Sequence, residues 1–268
     1  MSNRLSEKTH QIHCEKISLL GNKKQLILDD VSFRAESGKV LGVIGPNGSG
    51  KSSLLRCLAG LEPPESGRIM IDGVDISDIA LKERARLISY LPANLYMAWP
   101  ISVMETVSLG RYPHSTGVKP LDEQAVELVM SELTKLGLDH LRGRPMNTLS
   151  SGEQMRVHLS RLFVTNANIV LADEPNNNLD PKFQLQAMSA LREYASRGAF
   201  VFIVLHDLTL AANFCDELYL LNKGELVDAE KKDLLENPKY FEEVFELEME
   251  KNSQWNIPWK IRGSRRTR

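Results

Sequence analysis

A glycine-rich turn stands between an apolar run and a helix-like run near the start of the chain. It reads GPNGSGKSS, follows VLGVI and satisfies the pattern G-x-x-x-x-G-K-[S/T]. Glycines let successive backbone N–H groups face one concavity, and the helix that follows adds its positive end, so such a turn binds polyphosphate mainly through main chain. The predicted phosphate-binding residues are Gly45, Pro46, Asn47, Gly48, Ser49, Gly50, Lys51, Ser52 and Ser53.

Two acidic residues supply the groups that a magnesium–phosphate site still needs. We expect Lys51 to reach the β- and γ-phosphates and the Ser52 hydroxyl to ligate Mg²⁺. Asp173 ends the apolar run IVLA and is predicted as the second metal ligand. Glu174 follows it and is predicted as the general base for the attacking water. The predicted ligands of these residues are therefore a polyphosphate and Mg²⁺.

Three short apolar runs are predicted to position these groups. VLGVIG (40–45), NIVLAD (168–173) and FVFIVLHD (200–207) are rich in β-branched residues and end in Gly, Asp or His. Strands buried on both faces have this pattern, which indicates a parallel sheet covered by helices. Ligands bind at the carboxyl edge of such a sheet, where the polar residues collect.

Other segments suggest antiparallel strands and a helical insertion. RIMIDG (68–73) and LYLLNKGELV (218–227) are predicted to be antiparallel, the second with a hairpin turn at Asn222-Lys223-Gly224. Residues 121–138 have helical apolar spacing and stop at Gly137. After Val227 the composition becomes charged, and this part is interpreted as a separate appendage.

Composition excludes several classes of protein. The 268 residues include 42% hydrophobic residues, enough for a sizeable core, and the net charge of −2 argues against a nucleic-acid partner. Three cysteines without a CxxC pair favour a reducing compartment, which predicts a cytosolic location. The N-terminus lacks the apolar core of a signal peptide, and no apolar run reaches the roughly 18 residues of a spanning helix.

Three further motifs carry a resemblance to a known family. LSSGEQMRV (149–157) resembles the signature sequence of ABC-type ATPases, DEPNNNLD (173–180) resembles their Walker B motif and D-loop, and VLHD (204–207) their switch-histidine segment. The order and spacing also agree. The resemblance implies an α/β fold of the P-loop NTPase type, with a RecA-like core, an antiparallel β subdomain and an inserted helical subdomain.

The resemblance also implies site residues and a second copy of the chain. In this family two subunits clamp two ATP molecules head to tail. Ser150 and the backbone N–H of Gly152 are accordingly expected to bind the γ-phosphate of the partner's ATP. His206 is expected to hydrogen bond to the γ-phosphate and hold Glu174 and the water in line. Asp180 is expected to couple the two sites.

The chain departs from the family pattern at three places. Ala93 stands where a Gln usually approaches Mg²⁺, which leaves neighbouring Asn94, a water or weaker stimulation by the transporter as alternatives. Ser151 replaces a signature glycine. The region that usually provides an aromatic for adenine offers Leu19 and Leu20, which predicts apolar and loosely selective base binding.

The segment ISVMETVSLGRYPH (101–114) resembles that of ATPases serving importers of iron–siderophore, haem and cobalamin complexes. The predicted function is ATP hydrolysis that drives import of such a chelate, by a homodimer at the cytoplasmic face of the inner membrane. Its partners would be two integral-membrane permease chains and, indirectly, a substrate-binding protein. A plain amphipathic helix is the alternative for this segment. A soluble ABC ATPase, for example in iron–sulfur assembly, and a slowly hydrolysing ATP switch are the alternatives for the whole chain.

The expected domain organisation follows the motifs. Its five parts are an N-terminal tail (1–10), the antiparallel subdomain with the first part of the core (11–92), the helical signature subdomain (93–164), the second part of the core (165–229) and a C-terminal extension (230–268).

Overall fold

The computed structural model describes residues 10–21, 24–95, 100–115, 121–227, 229–251 and 259–264, with side chains described up to residue 246. Residues 1–9 of the predicted N-terminal tail and residues 252–258 of the C-terminal extension, which include Trp255, lie outside the described residues.

The strands are short, as the apolar runs predict. They are β1 (Gln11–Leu20), β2 (Leu26–Glu36), β3 (Val40–Ile44), β4 (Ser66–Ile71), β5 (Val74–Asp75), β6 (Ile88–Leu91), β7 (Ile169–Asp173), β8 (Phe200–Val204), β9 (Glu217–Asn222), β10 (Glu225–Leu226), β11 (Leu247–Lys251) and β12 (Trp259–Ser264).

The helices alternate with the strands in the core and cluster in the insertion. They are α1 (Lys51–Leu58), α2 (Leu81–Leu87), α3 (Val103–Ser108), α4 (Glu123–Lys135), α5 (Ser151–Val164), α6 (Pro181–Ser196), α7 (Leu208–Phe214), α8 (Lys231–Glu236) and α9 (Lys239–Phe245). A 3₁₀ helix, Leu109–His114, follows α3. The predicted helical insertion is confirmed: α4 starts after the N-cap Asp122 and is followed by Gly137 in a left-handed conformation.

The central sheet has the strand order β10-β9-β3-β8-β7-β6. The three predicted core strands, β3, β7 and β8, lie side by side and parallel. β9 also pairs in parallel with β3, so the prediction that the whole 218–227 segment is antiparallel is wrong for that pairing. Its hairpin with β10 is antiparallel and turns through Lys223 and Gly224, both with positive φ. β9 is almost as apolar as the other core strands. The hairpin turn that follows it indicated an antiparallel partner, and no separate feature of the sequence indicated the parallel pairing with β3.

Residues of the central strands alternate between two apolar cores, which explains why their sequences are apolar throughout. Val40 and Ile44 of β3 face the core formed with the helical insertion. Leu41 and Val43 face the core formed with α1 and the antiparallel sheet. Both faces of the sheet are therefore buried, as predicted for parallel strands.

The antiparallel sheet has the order β2-β1-β4-β5 and includes the predicted segment 68–73 up to Ile71. Phe33 of β2 packs against Phe202 of β8, with ring centroids 5.8 Å apart. This contact joins the antiparallel sheet to β8, the strand of the central sheet that leads to His206.

The first part of the C-terminal extension packs on the core. Leu234 of α8 and Phe241 of α9 are fully buried in the same apolar core as the helical insertion. Residues 231–245 are thus held by the nucleotide-binding core, which the charged composition concealed. β11 and β12 pair in a separate antiparallel hairpin.

Candidate active site

The strand register brings the predicted catalytic residues to one edge of the sheet. Val43 pairs with Val204, and Val204 pairs with Asp173. The residues that follow these positions leave three adjacent strands at the same level. The phosphate turn, Glu174 and His206 therefore share the carboxyl edge, although they are far apart in sequence.

The phosphate turn is closely packed against two neighbouring segments. Gly45 has φ 151°, and a Cβ there would overlap the Leu221 carbonyl oxygen of β9. Gly50 has φ 104°, and a Cβ there would lie 2.7 Å from the Ile27 carbonyl oxygen of β2. Both positions require glycine for conformation and for space. The turn is thus held between two strands, and α1 begins directly after it at Lys51.

Lys51 is folded back onto the turn. Its Nζ donates hydrogen bonds of 2.8 Å to the carbonyl oxygens of Gly45 and Pro46. Burial lowers the pKa of its ammonium group, and the carboxylates of Glu174 and Asp173 oppose that shift. The charge lies inside the concavity that the sequence predicts for phosphate.

Asp173 has the properties of a metal ligand. It is 2% exposed, and its Oδ1 has no hydrogen-bond partner among the described residues. Burial raises its pKa, while a hydrogen bond from the Ser52 side chain lowers it. A buried, unpartnered carboxylate oxygen is costly in the absence of a cation. The Asp173 carboxylate and the Ser52 hydroxyl are hard oxygen donors, which fit Mg²⁺.

Glu174 is held at both carboxylate oxygens. His206 Nε2 lies 2.5 Å from Oε1 in the geometry of a donated hydrogen bond, and Asn177 Nδ2 donates to Oε2. The backbone of Glu174 has φ 55°, a left-handed conformation that is unusual outside glycine, and its N–H donates to the Val204 carbonyl. The side chain is therefore fixed by the segment that follows β8 and by the loop that follows β7.

Asn177 is a site residue that sequence reasoning missed. The signal was its position three residues after Glu174 in the run NNN. A turn brings the two together, because the Asn177 N–H donates to the Glu174 carbonyl at 3.1 Å. Asn and Asp favour such turns, so the run itself predicted a tight loop but not the direction of the side chain.

The start of the signature sequence, Ser150 to Gly152, forms the N-terminus of α5, and we call these three residues the signature turn. Ser150 is the N-cap and forms a capping box with Glu153. The Glu153 N–H donates to the Ser150 Oγ at 3.3 Å, and the Glu153 carboxylate accepts a hydrogen bond from the Ser150 N–H. Ser150 and Ser151 are exposed, and Gly152 is half-buried. These hydrogen bonds remain within α5, and none of the three residues lines the cavity at the phosphate turn described below. One chain does not bring the signature turn to its own phosphate turn in that cavity.

The D-loop, which ends at Asp180, and the signature turn, which contains Gly152, are neighbours within one chain. Asp180 caps α6, because its Oδ1 accepts a hydrogen bond of 3.0 Å from the Phe183 N–H. A Cβ at Gly152 would lie 3.0 Å from the carbonyl oxygen of Asn178 in the D-loop. The D-loop and the signature turn are therefore in close contact.

Two of the regions that depart from the family pattern lie next to the predicted site. Ala93 follows β6, at the edge where β7 ends in Asp173, and is half-buried, while Asn94 is exposed. Leu19 is buried in β1, whereas Leu20 is 38% exposed at its end and pairs with Leu26, which is 45% exposed. Leu20 and Leu26 form an apolar surface beside the phosphate turn, since Ile27 contacts Gly50.

A cavity of about 540 Å³ adjoins the phosphate turn. It is lined by the first half of the turn, by His206, by the β9–β10 turn and by the end of α9. The C-terminal segment therefore contributes a wall to the site, which nothing in its sequence indicated.

Comparisons with known proteins fit this geometry. The family model of the ABC transporter matches residues 28–177. The chain belongs to the ABC transporter family. It is an ABC-type ATPase that binds ATP, and its two-sheet fold is that of ABC cassettes.

Similar curated proteins are ATP-binding subunits of importers. The hemin import ATP-binding protein HmuV of Pseudomonas entomophila is 40% identical over 203 residues, which cover 74% of this chain and 78% of that protein. HmuV of Pseudomonas fluorescens is 36% identical over 247 residues, covering 90% and 93%. The cobalamin import ATP-binding protein BtuD of Halobacterium salinarum is 35% identical over 204 residues, covering 76% and 51%.

Solved structures share the fold. A nucleotide-free ATP-binding cassette from an ABC transporter has a TM-score of 0.76 at 26% identity, covering 87% of this chain and 98% of that one. A dimeric cassette in a post-hydrolysis state with ADP and phosphate has a TM-score of 0.74 at 25% identity, covering 82% and 97%. Across the ranges that the structure describes, helices are too short or too polar to traverse a bilayer.

Proposed function

We propose that this chain is the ATP-hydrolysing subunit of an importer for a metal chelate, namely haem, cobalamin or an iron–siderophore complex. It acts as a homodimer, peripheral at the cytoplasmic face of the membrane, under two permease chains that receive cargo from a substrate-binding protein. The observation that carries the proposal is the convergence of Lys51, Asp173, Glu174 and His206 at one sheet edge. The importer relatives support the cargo class.

Phosphate binding uses groups that the turn already aims inward. Lys51 exchanges its hydrogen bonds to two carbonyl oxygens for the β- and γ-phosphates. The exchange is favourable because phosphate is charged and the carbonyls are not. The N-terminus of α1 faces the same side, and its first turn contains no acidic residue to compete with the phosphate.

Ser52 and Asp173 are the residues that would hold Mg²⁺, which when bound neutralises charge on the phosphate oxygens. Asp173 is in place before any ligand arrives, because β7 buries it and its free oxygen has no other partner among the described residues.

Glu174 is the proposed general base, and His206 controls it. In the structure His206 occupies Oε1 of Glu174. Transfer of His206 to the γ-phosphate leaves Oε1 free to accept a proton from the attacking water. Asn177 keeps its hydrogen bond to Oε2 and so preserves the direction of the carboxylate. The base is thus released only when a γ-phosphate is present.

The second copy completes the site. Ser150 and Gly152 of one chain are proposed to bind the γ-phosphate held by the other, with Asp180 coupling the two sites. The exposure of Ser150 at the start of a 14-residue helix supports this role. Binding of ATP then favours the closed dimer, and hydrolysis favours the open one, so the permease follows a shift in population.

ATP binding is tested by Lys51→Ala, with Lys239→Ala, at an exposed lysine of α9, as the matched control. We expect the Kd for Mg·ATP to rise by about 30-fold or more in the first variant, because charge-assisted hydrogen bonds are lost. The control should bind like the wild type. Equal affinity in all three proteins would contradict the proposal at its first step.

Transport is tested in a strain that lacks this chain. Uptake of haem, cobalamin and ferric siderophore should fall for one of the three, and return with the wild-type chain but not with Glu174→Gln. Purification of the complemented complex should recover an integral-membrane permease. Unchanged uptake of all three, together with a stable complex free of membrane protein, would favour a soluble ABC ATPase instead.

A further inference from the structure

The end of α5 opposite to the signature turn is held by several polar side chains. α5 contains 14 residues, so its two ends lie roughly 21 Å apart. The last carbonyl groups of a helix have no partner within it and carry its negative end. In this chain, other segments supply those partners.

Two residues of the 3₁₀ helix Leu109–His114 bind these carbonyls. Arg111 Nη1 donates to the Val164 oxygen at 3.0 Å and to the Thr165 oxygen at 3.4 Å. His114 Nε2 donates to the Thr165 oxygen at 2.8 Å. Burial and the nearby Arg111 charge lower the pKa of His114, and the hydrogen bond to Thr165 opposes this shift. The Thr165 oxygen can only accept, so the proton of this hydrogen bond is on Nε2.

Gly110 fixes the distance between the two segments. A Cβ there would lie 2.5 Å from the Arg161 carbonyl oxygen and 2.5 Å from the Val164 side chain. The backbones of the 3₁₀ helix and α5 are therefore in direct contact. Any larger residue at position 110 would force them apart.

The strand that leads to Ala93 reaches the same helix end. Ser89 of β6 donates from Oγ to the Leu162 oxygen at 3.1 Å, and it lies 3.4 Å from the Thr165 hydroxyl. Both side chains are buried. We call Ser89, Gly110, Arg111 and His114 the α5 anchor. The anchor joins α5, which we also call the signature helix, to the 3₁₀ helix after α3 and to strand β6 before Ala93.

The 3₁₀ helix has a second side, which faces solvent. Leu109 is 49% exposed and Tyr112 is 65% exposed, close to α2, where Leu81 is 73% exposed. α2 and the 3₁₀ helix are tied together, because Arg86 Nε donates to the Pro113 oxygen at 2.8 Å. These exposed residues belong to the surface that we expect the permease to contact. Arg111 and His114 point the other way.

We infer that the α5 anchor transmits the position of the permease-facing surface to the signature turn. This inference rests on the proposed function. A force on Tyr112 or Leu109 moves the 3₁₀ helix, and the anchor obliges the rear end of α5 to follow. Since a helix is stiff along its axis, the signature turn at the front end moves with it. Arg111 and His114 are thus positioning residues for the site on the second copy.

The decisive comparison uses two substitutions at one position in the complete complex. Glutamine places an amide nitrogen near the site of His114 Nε2, whereas leucine fills similar space without a donor. We expect His114→Leu to lower permease-stimulated ATP turnover by about tenfold, and His114→Gln to keep most of it. The KM for ATP and the affinity for the permease should change by less than about twofold in both.

Arg111→Met is a second, independent break of the anchor, with Arg111→Lys as its conservative partner. Tyr112→Ala on the outer side is the contrasting variant, because it should weaken permease association instead of coupling. Thermal unfolding identifies variants that do not fold. Gly110→Ala is measured as well, so that the inference depends on no single variant.

Full stimulation in His114→Leu and Arg111→Met would overturn the inference. It would also be overturned if these variants lost permease association to the same extent as Tyr112→Ala. A failure of the proposed function is distinguishable, because the wild-type chain would then show no stimulation by any permease.

Discussion

The catalytic edge of the central sheet and the signature turn differ in how their polar groups are held. At the sheet edge, the strand register brings the phosphate turn, Glu174 and His206 together, and Glu174 is hydrogen bonded to His206, which lies 32 residues further along the chain. At the signature turn, the Ser150 hydrogen bonds close on Glu153, one turn away. One region is assembled by long-range folding, and the other is a local helix start.

This difference separates what one chain accomplishes alone from what we assign to two. The parallel register fixes the relation of phosphate turn, metal ligand and base without a partner. The signature turn is fixed to its own helix but not to its own phosphate turn. Its position relative to ATP therefore depends on the second copy and on what holds the rear of α5.

The largest effect is expected when the assembled edge loses its base. Glu174→Gln should lower ATP turnover by about 10²–10⁴-fold, because an amide accepts no proton from water. ATP binding should remain within a few-fold of wild type, since Lys51 and the turn are intact. Steady-state hydrolysis and equilibrium binding measure the two quantities. Glu193→Gln, at an exposed carboxylate of α6, is the control, and a loss below about tenfold would remove Glu174 from the role of base.

Mixing two inactive variants tests whether the signature turn works on the other chain. Lys51→Ala disables the phosphate turn, and Ser150→Arg obstructs the signature turn. In a mixed dimer, one site combines both defects and the other has neither. Random mixing should restore at most about a quarter of the wild-type sites. Each variant alone serves as the blank. A mixture as inactive as its components would argue that the phosphate turn and the signature turn of a single chain act on the same nucleotide.

A smaller effect is expected at Ala93, between the two regions. Ala93 follows β6 at the metal edge, and β6 also carries Ser89 of the α5 anchor. Ala93→Gln adds an oxygen donor towards Mg²⁺ and should raise turnover of the assembled complex by about threefold. Asn94→Gln is measured alongside, because the exposed neighbour Asn94 is the alternative donor to the metal. Unchanged turnover with unchanged Mg²⁺ dependence would show that position 93 does not approach the metal.

The sequence predicted the sheet edge well because its features are local. A glycine turn after a strand and an acidic pair at a strand end are readable from neighbouring residues, and the parallel arrangement then brings them together. The contacts of Arg111 with Val164, of Ser89 with Leu162, and of the α9 end with the phosphate cavity join residues more than 50 positions apart. No periodicity within either segment encodes such a pairing.

The direction of the Asn177 side chain and the parallel pairing of β9 were missed for different reasons. The direction of the Asn177 side chain depends on the left-handed backbone of Glu174, a conformation that no residue type at position 174 announces. The β9 segment satisfied two patterns at once, since it is apolar enough for a parallel core strand and also starts a hairpin. Only the tertiary position of β3 decides that it does both.

The smallest expected effect concerns stability and again sets the signature helix apart. His158 of α5 is 2% exposed, and neither ring nitrogen has a hydrogen-bond partner among the described residues. Burial, together with the Arg161 charge, lowers the pKa of His158 to about 4. An unfolded histidine has a pKa of about 6.5. Below that pH the unfolded chain takes up a proton that the folded chain refuses until about pH 4, so the free energy of unfolding falls across this window.

At pH 5 this loss is on the order of 2 kcal/mol relative to neutral pH. His158→Met removes the group and should reduce the pH dependence of the free energy of unfolding by that amount. Urea unfolding at pH 5.0 and 7.5 measures it, with His140→Met as the exposed control. If both variants kept the pH dependence of the wild type, His158 would have to be solvated or paired in the folded chain. The contrast between α5 and the catalytic edge would then be confined to the first turn of α5.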